Sequence, residues 1–252
     1  MSPAIFVERS SPARGSARTA ELANLPELPD SDGIPMETTF HRDAASCLIQ
    51  TANALNLGYV GGNNFIYYDE QDHAKTVGPD FFFVKGADPT QDRPVWAVWR
   101  ENGLFPHVIL EILSPSTAHK DRGLKKDLYE SVFTTTQEYY LVDPDDSRVI
   151  GWRRSPRTRK FQPLSPDEHG RLTCEGLNVS LGVWHGTIGH ITRDWPRFYH
   201  PQGDLVPMSA EIAENERQQK DDALRQKEDA LKRAEDALAE LAELRAKFKE
   251  QK

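Results

Sequence analysis

The chain has 252 residues, of which 38% are hydrophobic and 28% are charged, and its formal net charge at pH 7 is −8. It has no run approaching the roughly 18 apolar residues of a membrane-spanning helix, and its N-terminus lacks the apolar core of a signal peptide. Two cysteines, Cys47 and Cys174, are too few for a disulfide scaffold and fit a reducing compartment. These features argue against a membrane protein or a disulfide-rich secreted protein, and we expect a cytoplasmic protein without a membrane partner.

The negative charge also argues against a protein that holds nucleic acid by charge alone, because such proteins usually carry a basic stripe. Contact with phosphate would need a local basic patch or a bound divalent metal ion. One segment offers such a patch, although a solvated hairpin loop is the simpler explanation of the same residues. Its basic residues are Arg153, Arg154, Arg157, Arg159 and Lys160.

Composition divides the chain into three regions. Residues 1–35 are rich in Ser, Pro, Ala and Arg without a helical or strand period, which predicts a disordered leader. Residues 36–207 carry alternating strand and helix patterns and predict an α/β domain. Residues 208–252 are built from Ala, Glu, Lys, Arg and Leu without Gly or Pro, which predicts a charged helical tail.

Within the α/β domain, residues 39–57 place apolar side chains at helical spacing and end at Gly58, so we expect a helix. Two aromatic and β-branched runs, 65–70 and 79–86, are typical of strands. The segment 87–106 that follows has the character of an insertion carrying two tryptophans.

The segment "VILEIL", residues 108–113, is apolar at every position except Glu111. Strands that are covered on both faces have this pattern. A helix is predicted in "STAHKDRGLKKDLYESVF", capped by Ser116 or Thr117. Its apolar face is expected to consist of Leu124, Leu128 and Val132.

The runs "EYYLVDP" and "RVIGWRR", separated by a short turn, predict a hairpin in which Asp143 forms the turn. Shorter strands are expected near 161–164 and 177–181. Strands and helices in this order predict an α/β fold: a central mixed sheet flanked by helices, with a long C-terminal helix or coiled coil.

The tail shows the spacing of a coiled coil, with seam positions four and three residues apart. Alanine at most of these positions would bury little area, so a long single helix in solvent is an equally good interpretation. A homodimer could form through this helix or through the core. The seam residues are Ala223, Lys227, Ala230, Ala234, Ala237, Leu241, Leu244 and Phe248, beside a second track of Leu224, Leu231 and Leu238.

Two acidic residues stand in apolar strand segments, Asp80 before "FFFV" and Glu111 within "VILEIL". Carboxylates on neighbouring strands repel one another unless a cation lies between them. Carboxylate, carbonyl and water oxygens are the ligands of Mg²⁺ or Mn²⁺, and such an ion can activate water and offset charge on phosphorus. Asp80 is also compatible with a turn at the start of a strand.

A positive group to orient the water could come from Lys125 on the following helix, with Asp121 and Tyr129 four residues before and after it. Each of these residues also has a simpler explanation. A helix lysine is commonly solvated, and a helix tyrosine commonly packs at the edge of a core. His41, at the start of the first helix, could support the site or cap and pack.

Four segments together resemble the Uma-type endonucleases, a bacterial group within the PD-(D/E)XK restriction-endonuclease-like superfamily. They are "GPDFFFV", "PHVILEILSPST", "DRGLKKDLYE" and "EYYLVDPD", and the resemblance covers roughly residues 36–199. It implies a restriction-endonuclease-like core, Mg²⁺-dependent hydrolysis of phosphodiester bonds, and Asp80 and Glu111 as metal ligands. It further implies the backbone carbonyl of Ile112 as a ligand, with Glu37 as an additional acid.

The superfamily pattern has a lysine two residues after the glutamate, and here that position is Leu113. The resemblance suggests that Lys125 takes over the role of this lysine. The leading hypothesis is therefore a metal-dependent endonuclease acting on DNA. The alternatives are a nuclease-like protein that binds or assembles without cutting, and a metal-dependent hydrolase of another substrate.

Overall fold

A computed structural model of the chain describes residues 38–114, 118 and 121–250, and its side chains up to 235 together with 237 and 238. The predicted leader, the proposed ligand Glu37 and the helix caps Ser116 and Thr117 lie outside the described residues, as do the side chains of the seam residues Leu241, Leu244 and Phe248. The division into three regions stays a prediction.

A six-stranded mixed sheet forms the centre of the molecule. Only the third and fourth strands in spatial order, β6 and β7, run parallel; the other pairs are antiparallel. In spatial order the strands are β1 (Gly58–Gly61), β4 (Phe81–Lys85), β6 (Val108–Ile112), β7 (Glu138–Asp143), β8 (Arg148–Arg154) and β9 (Phe161–Pro163).

Two three-stranded sheets accompany the central one. The first comprises β3 (Thr76–Val77), β2 (Ile66–Tyr67) and β5 (Trp96–Ala97), so the predicted strand at 65–70 is reduced to two residues. The second is antiparallel and comprises β10 (Leu172–Cys174), β11 (Val179–Ile188) and β12 (Ile191–Tyr199). The strand expected near 177–181 is the beginning of the longer β11.

The helices are α1 (Thr39–Ala54), α2 (Lys126–Ser131) and α3 (Ser209–Glu250), and a π-helical turn (Asp121–Lys125) leads directly into α2. A short 3₁₀ turn, Val98–Arg100, lies in the predicted insertion. These elements confirm an α/β fold with mixed sheets flanked by helices and a long C-terminal helix.

Two hydrophobic cores cover the two faces of the central sheet. Val108, Leu110 and Ile112 of β6 pack into the core that contains α1. Ile109 and Leu113 belong to the other core, which lies beneath α2. All five residues of β6 are buried, which explains the nearly continuous apolar sequence around Glu111.

The predicted apolar face of the helix over 116–133 is wrong for two of its three residues. Leu124 is 69% exposed and Val132 is 38% exposed, whereas Asp121 and Tyr129 are buried. The π-helical turn changes the residue period immediately before α2, so the α-helical spacing assumed from the sequence does not hold across it. The buried face therefore includes a carboxylate and a phenol.

Both interpretations suggested for the basic segment are wrong for Arg154. It is neither part of an exposed basic patch nor a solvated loop residue. The side chain of Arg154 is buried, and its guanidinium donates to main-chain carbonyls at the end of α2. This arrangement satisfies carbonyls that a helix C-terminus leaves without intrahelical partners. The carbonyls bound by Arg154 are those of Tyr129, Glu130, Phe133, Thr136 and Arg159.

The base of α3 is fixed to the sheet of β10, β11 and β12 by an ion pair between a buried arginine and a partly exposed glutamate. Arg197 is fully buried, and its two terminal nitrogens donate to the two carboxylate oxygens of Glu211 at 3.0 and 2.8 Å. Glu211 also accepts the backbone N–H of Met208 at 2.7 Å, at the entrance to the helix. The first turn of α3 is thereby fixed to the core.

Farther along α3 the predicted leucine track is exposed to solvent. Leu224, Leu231 and Leu238 are 60%, 53% and 69% exposed. Within the part of the chain that the structure describes, no helix is both long and apolar enough to cross a membrane. The structure thus leaves an apolar track along a charged rod, and its pairing in a coiled coil stays a prediction.

Candidate active site

Asp80 lies at the start of β4, and its carboxylate takes part in the hydrogen bonding of the sheet. Its Oδ2 accepts the backbone N–H of Ile112 at 2.6 Å, and its Oδ1 lies 2.6 Å from Nε2 of His41 on α1. The side chains of Asp80 and His41 are each 12% exposed. A carboxylate oxygen accepts hydrogen bonds, so in this pair Nε2 of His41 donates to Asp80.

The Gly-Gly-Asn-Asn turn after β1 packs closely against the backbone of Asp80. A Cβ atom on Gly62 would lie 2.4 Å from the carbonyl oxygen of Asp80 and 2.5 Å from Cδ1 of Ile49. The N–H of Asn63 donates to the carbonyl of Pro79 at 3.0 Å. Glycine at position 62 therefore allows this close approach, which holds Asp80 in place.

Glu111 is brought beside Asp80 by the pairing of β4 with β6. Phe81 lies opposite Leu110, so the next position places Asp80 beside Glu111 on the face that carries α2. Glu111 is 1% exposed. Its Oε1 accepts the hydroxyl of Tyr129 at 2.8 Å, and its Oε2 lies 3.0 Å from Nζ of Lys125.

Lys125 bridges two carboxylates. Its Nζ lies 3.0 Å from Oε2 of Glu111 and 2.9 Å from Oδ1 of Asp121, and the lysine side chain is 24% exposed. Asp121 is buried, and its backbone carbonyl accepts the hydroxyl of Tyr139 at 2.8 Å. Lys125 is therefore a member of a buried ionic cluster, and the interpretation as a solvated surface lysine is wrong.

Burial and charge shift the titration of these groups in physically distinct ways. Burial raises the pKa of Glu111; the charges of Asp80 and Asp121 raise it further, and the ammonium of Lys125 opposes them. Burial acts to lower the pKa of Lys125, but the charges of Glu111 and Asp121 outweigh it and leave that pKa raised. Lys125 therefore stays an ammonium, which can orient or stabilise negative groups but cannot accept a proton.

Tyr129 remains a neutral phenol in this cluster. Its pKa lies well above the ordinary value, because the ring is buried and the charge of Glu111 lies beside it. The phenol can therefore donate to Glu111 throughout the physiological pH range. The hydrogen bond to Glu111 explains why the hydroxyl of Tyr129 is buried, although a helix tyrosine commonly packs at the edge of a core.

The donor set suits a hard divalent ion that keeps part of its water shell. Among the described residues, no three His, Cys, Asp or Glu side chains are grouped so that they could share one metal ion. Mg²⁺ is commonly held by one or two carboxylates together with waters and substrate oxygens. Two neighbouring carboxylates in a cluster with excess negative charge fit that mode of binding.

The family of the chain is decided by a match that covers residues 31–183, more than half of its length, to the family model Uma2, described as "Putative restriction endonuclease". The chain belongs to the Uma2 family. This confirms the resemblance to the Uma-type endonucleases, and the Uma2 match includes Asp80, Glu111 and Lys125. Membership in Uma2 supports nuclease function.

Among solved structures, the chain is similar to a "putative nuclease belonging to DUF820" from Anabaena variabilis ATCC 29413. The two are 16% identical, with a TM-score of 0.43, over 63% of this chain and 89% of that one. No curated protein matches the chain.

The structure thus groups most of the site residues that the Uma2 sequence suggests. Asp80, Glu111 and Lys125 come together with the supporting residues, and the N–H of Ile112 binds Asp80. Leu113 is 4% exposed within the apolar core beneath α2. The predicted supporting residues in the cluster are Asp121, Tyr129 and His41.

Sequence reasoning missed the structural role of Arg154 in this Uma2 chain. By binding the carbonyl of Tyr129, this side chain connects β8 to the helix that supplies a donor to Glu111. A second missed contact joins Arg122 to the turn residue Asp143 at 2.6 Å. In both cases the charged residue lies in a basic or turn-like segment. Its sequence context does not show whether the side chain binds another group of the protein or faces solvent.

Proposed function

We propose that the protein is a metal-dependent endonuclease that hydrolyses phosphodiester bonds in DNA with Mg²⁺ or Mn²⁺ as cofactor. The observation that carries the proposal is the buried cluster in which Asp80 and Glu111 lie side by side with Lys125 next to them. Uma2 membership supports the reaction class. The metal ion and the DNA substrate belong to the proposal.

The carboxylates of Asp80 and Glu111, with the carbonyl of Ile112, would hold the ion. A bound Mg²⁺ would lower the pKa of its water and offset charge on the phosphate. Lys125 remains charged beside Glu111, so it would orient the attacking water or stabilise the negative charge that develops on the phosphate. Tyr129 and His41 would hold Glu111 and Asp80 in position through their hydrogen bonds.

The site also explains how an acidic protein could act on an anionic substrate. The net charge of −8 opposes non-specific binding of DNA. A divalent ion held between two carboxylates would neutralise the local negative charge where the phosphate must approach. We therefore expect DNA binding to depend strongly on the metal ion.

The decisive experiment is cleavage of plasmid DNA by the full chain and by Asp80→Ala, with and without Mg²⁺. We expect the substitution to reduce cleavage to the metal-free level while the circular dichroism spectrum is retained. Glu138→Gln is a matched control, because Glu138 is an equally buried carboxylate on the neighbouring strand that binds Arg153 and backbone N–H groups. Cleavage by Asp80→Ala at the native rate would refute the assignment.

Two observations favour a second candidate, a nuclease-like protein that assembles without cutting. Leu113 fills the position of the motif lysine and is buried among apolar side chains, and α3 carries an exposed leucine track. This candidate predicts self-association through α3, without Glu111-dependent metal binding and without conversion of DNA. Calorimetry with Mn²⁺ and light scattering on the same sample distinguish the two.

A further inference from the structure

The ammonium group of Lys125 lies against one of the two carboxylate oxygens of Glu111, a proposed metal ligand. Both carboxylate oxygens of Glu111 already have partners: the Tyr129 hydroxyl on Oε1 at 2.8 Å and Lys125 on Oε2 at 3.0 Å. A neutral hydroxyl shares an acceptor with a cation readily, whereas two cations on one oxygen repel each other. A metal ion on either oxygen of Glu111 would lie close to this ammonium, and the repulsion between the two cations makes them compete for the carboxylate.

Asp121 offers Lys125 a second carboxylate at nearly the same distance. Its Oδ1 lies 2.9 Å from Nζ of Lys125. This oxygen is buried, and within the described part of the chain the ammonium of Lys125 is the cation that it meets. The lysine ammonium compensates the charge of this carboxylate, and its removal would leave a buried carboxylate without this counter-charge.

The position of Asp121 does not depend on Glu111. Its backbone carbonyl accepts the hydroxyl of Tyr139 from β7 at 2.8 Å, and it begins the π-helical turn that ends at Lys125. π-Helical turns are often found at functional sites. Asp121 can therefore hold the ammonium while Glu111 changes its partner.

The charges balance when the metal ion is included. Three carboxylates, those of Asp80, Glu111 and Asp121, act on one another in the cluster, and Lys125 is the ammonium between two of them. Pairing Lys125 with Asp121 leaves two carboxylates, Asp80 and Glu111, for one divalent cation. Asp121 thereby acts on the metal site through Lys125.

We infer that Asp121 is a positioning residue that serves as the counter-ion of Lys125 and so leaves Glu111 available to the divalent ion. The inference rests on the proposed function, and it assigns to a third acid a role outside metal ligation. Without Asp121, the ammonium would have only Glu111 as its carboxylate partner in the cluster and would compete more strongly with the metal ion.

The test measures Mn²⁺ binding to the full chain by isothermal titration calorimetry, which requires no cleavage. Asp121→Asn keeps the shape of the side chain and removes its charge. We expect it to weaken Mn²⁺ binding at least about tenfold, the scale on which one nearby charge shifts the free energy of a buried ionised group. Asp121→Asn combined with Lys125→Gln should restore the affinity to within about threefold of the native value, since the competing ammonium is gone.

A single substitution provides an independent readout in the background of native Asp121. Lys125→Gln removes the competitor and should tighten Mn²⁺ binding by about threefold or more. Thermal melting of each variant verifies that it is folded at the temperature of the titration. Unchanged or weaker binding in Lys125→Gln, or failure of the double variant to recover from Asp121→Asn, would overturn the counter-ion role.

Failure of the proposed function has a different signature. If the native chain does not bind Mn²⁺, or if Glu111→Gln binds it as tightly as the native chain, the metal site itself is wrong and the inference is overturned with it. If Glu111→Gln loses binding while Asp121→Asn keeps it, the metal site stands and only the role of Asp121 is refuted.

Discussion

Two centres of buried charge in this molecule have opposite character. At the base of α3, Arg197 and Glu211 form one bidentate pair in which each charge meets its opposite. Around Glu111, the carboxylates of Glu111 and Asp121 share one lysine ammonium, and the carboxylate of Asp80 acts on Glu111 as a third negative charge. The first centre fixes a helix to a sheet, and the second is left with negative charge that its own cations do not compensate.

The titration of the two glutamates reflects this difference. Burial acts to raise the pKa of Glu211, but hydrogen bonds from Arg197 and Met208 and the arginine charge outweigh it and leave that pKa lowered. The pKa of Glu111 is raised despite its contact with Lys125. A buried ion pair by itself is thus weak evidence for a functional site, whereas an excess of one sign of charge is much stronger evidence.

The largest expected effect comes from neutralising the excess charge. Glu111→Gln should abolish both Mn²⁺ binding and Mg²⁺-dependent cleavage, yet change the free energy of unfolding by less than about 1 kcal/mol, because it also relieves repulsion among buried acids. Chemical denaturation and calorimetry measure the two quantities. In native protein the carboxylate of Glu138 is compensated by Arg153 and backbone N–H groups. Glu138→Gln should therefore lose stability and keep Mn²⁺ binding and cleavage. A loss of stability in Glu111→Gln as large as in Glu138→Gln would remove the contrast.

The next largest effect is expected from breaking the ion pair between Arg197 and Glu211. Glu211→Gln leaves the fully buried Arg197 without its counter-charge, and we expect a loss of about 3 kcal/mol in the free energy of unfolding, the low end for broken buried pairs because Glu211 is partly exposed. Urea denaturation measures this loss. Mn²⁺ binding should be unchanged; a parallel loss of binding would show that the two centres are coupled.

The pH dependence of stability should also reveal the contribution of the ion pair between Arg197 and Glu211. Because the pKa of Glu211 is lowered in the folded protein from its ordinary value of 4.5, its contribution is fully present above that value and is lost as the pH falls through the folded pKa. Native protein should therefore lose more stability below about pH 4.5 than Glu211→Gln does. Parallel acid limbs in urea titrations of the two proteins would contradict the assignment.

The smallest effect on stability is expected in the exposed part of α3. Replacing Leu224, Leu231 and Leu238 together by glutamate should leave the melting temperature of the core unchanged, because these side chains are more than half exposed. If the rod pairs as a coiled coil, the same variant should convert a dimer into a monomer by light scattering. An unchanged mass would favour the single helix.

The apolar sequence of β6 and β7 made the centre of the fold predictable. Strands covered on both faces have few alternatives, and the hairpin from β7 to β8 follows from a turn whose residue Asp143 accepts two backbone N–H groups. The sheet of β10, β11 and β12 was predicted only in part. The outer half of the hairpin between β11 and β12 consists of exposed and half-buried residues, so its sequence lacks the apolar alternation that marks a strand.

One rule, that apolar residues mark the buried positions of an element, led to the candidate site in β6 but failed for the helix that follows it. Glu111 stood out because a carboxylate interrupts an apolar strand. On the neighbouring helix, the buried positions are held by Asp121 and Tyr129 while Leu124 faces solvent, so an amphipathic pattern selects the wrong face. Local rules are expected to fail where a site needs polar groups inside the fold.

The hydrogen bond between Asp80 and the main chain of Ile112 gives the site an unusual form of rigidity. Asp80, directly before β4, supplies the acceptor for that N–H, so its carboxylate cannot adopt another rotamer without breaking this link between two central strands. Lengthening it by one methylene, in Asp80→Glu, would displace the acceptor from that N–H. The spacing of the backbone thus dictates the size of the acid, and aspartate is the side chain that fits.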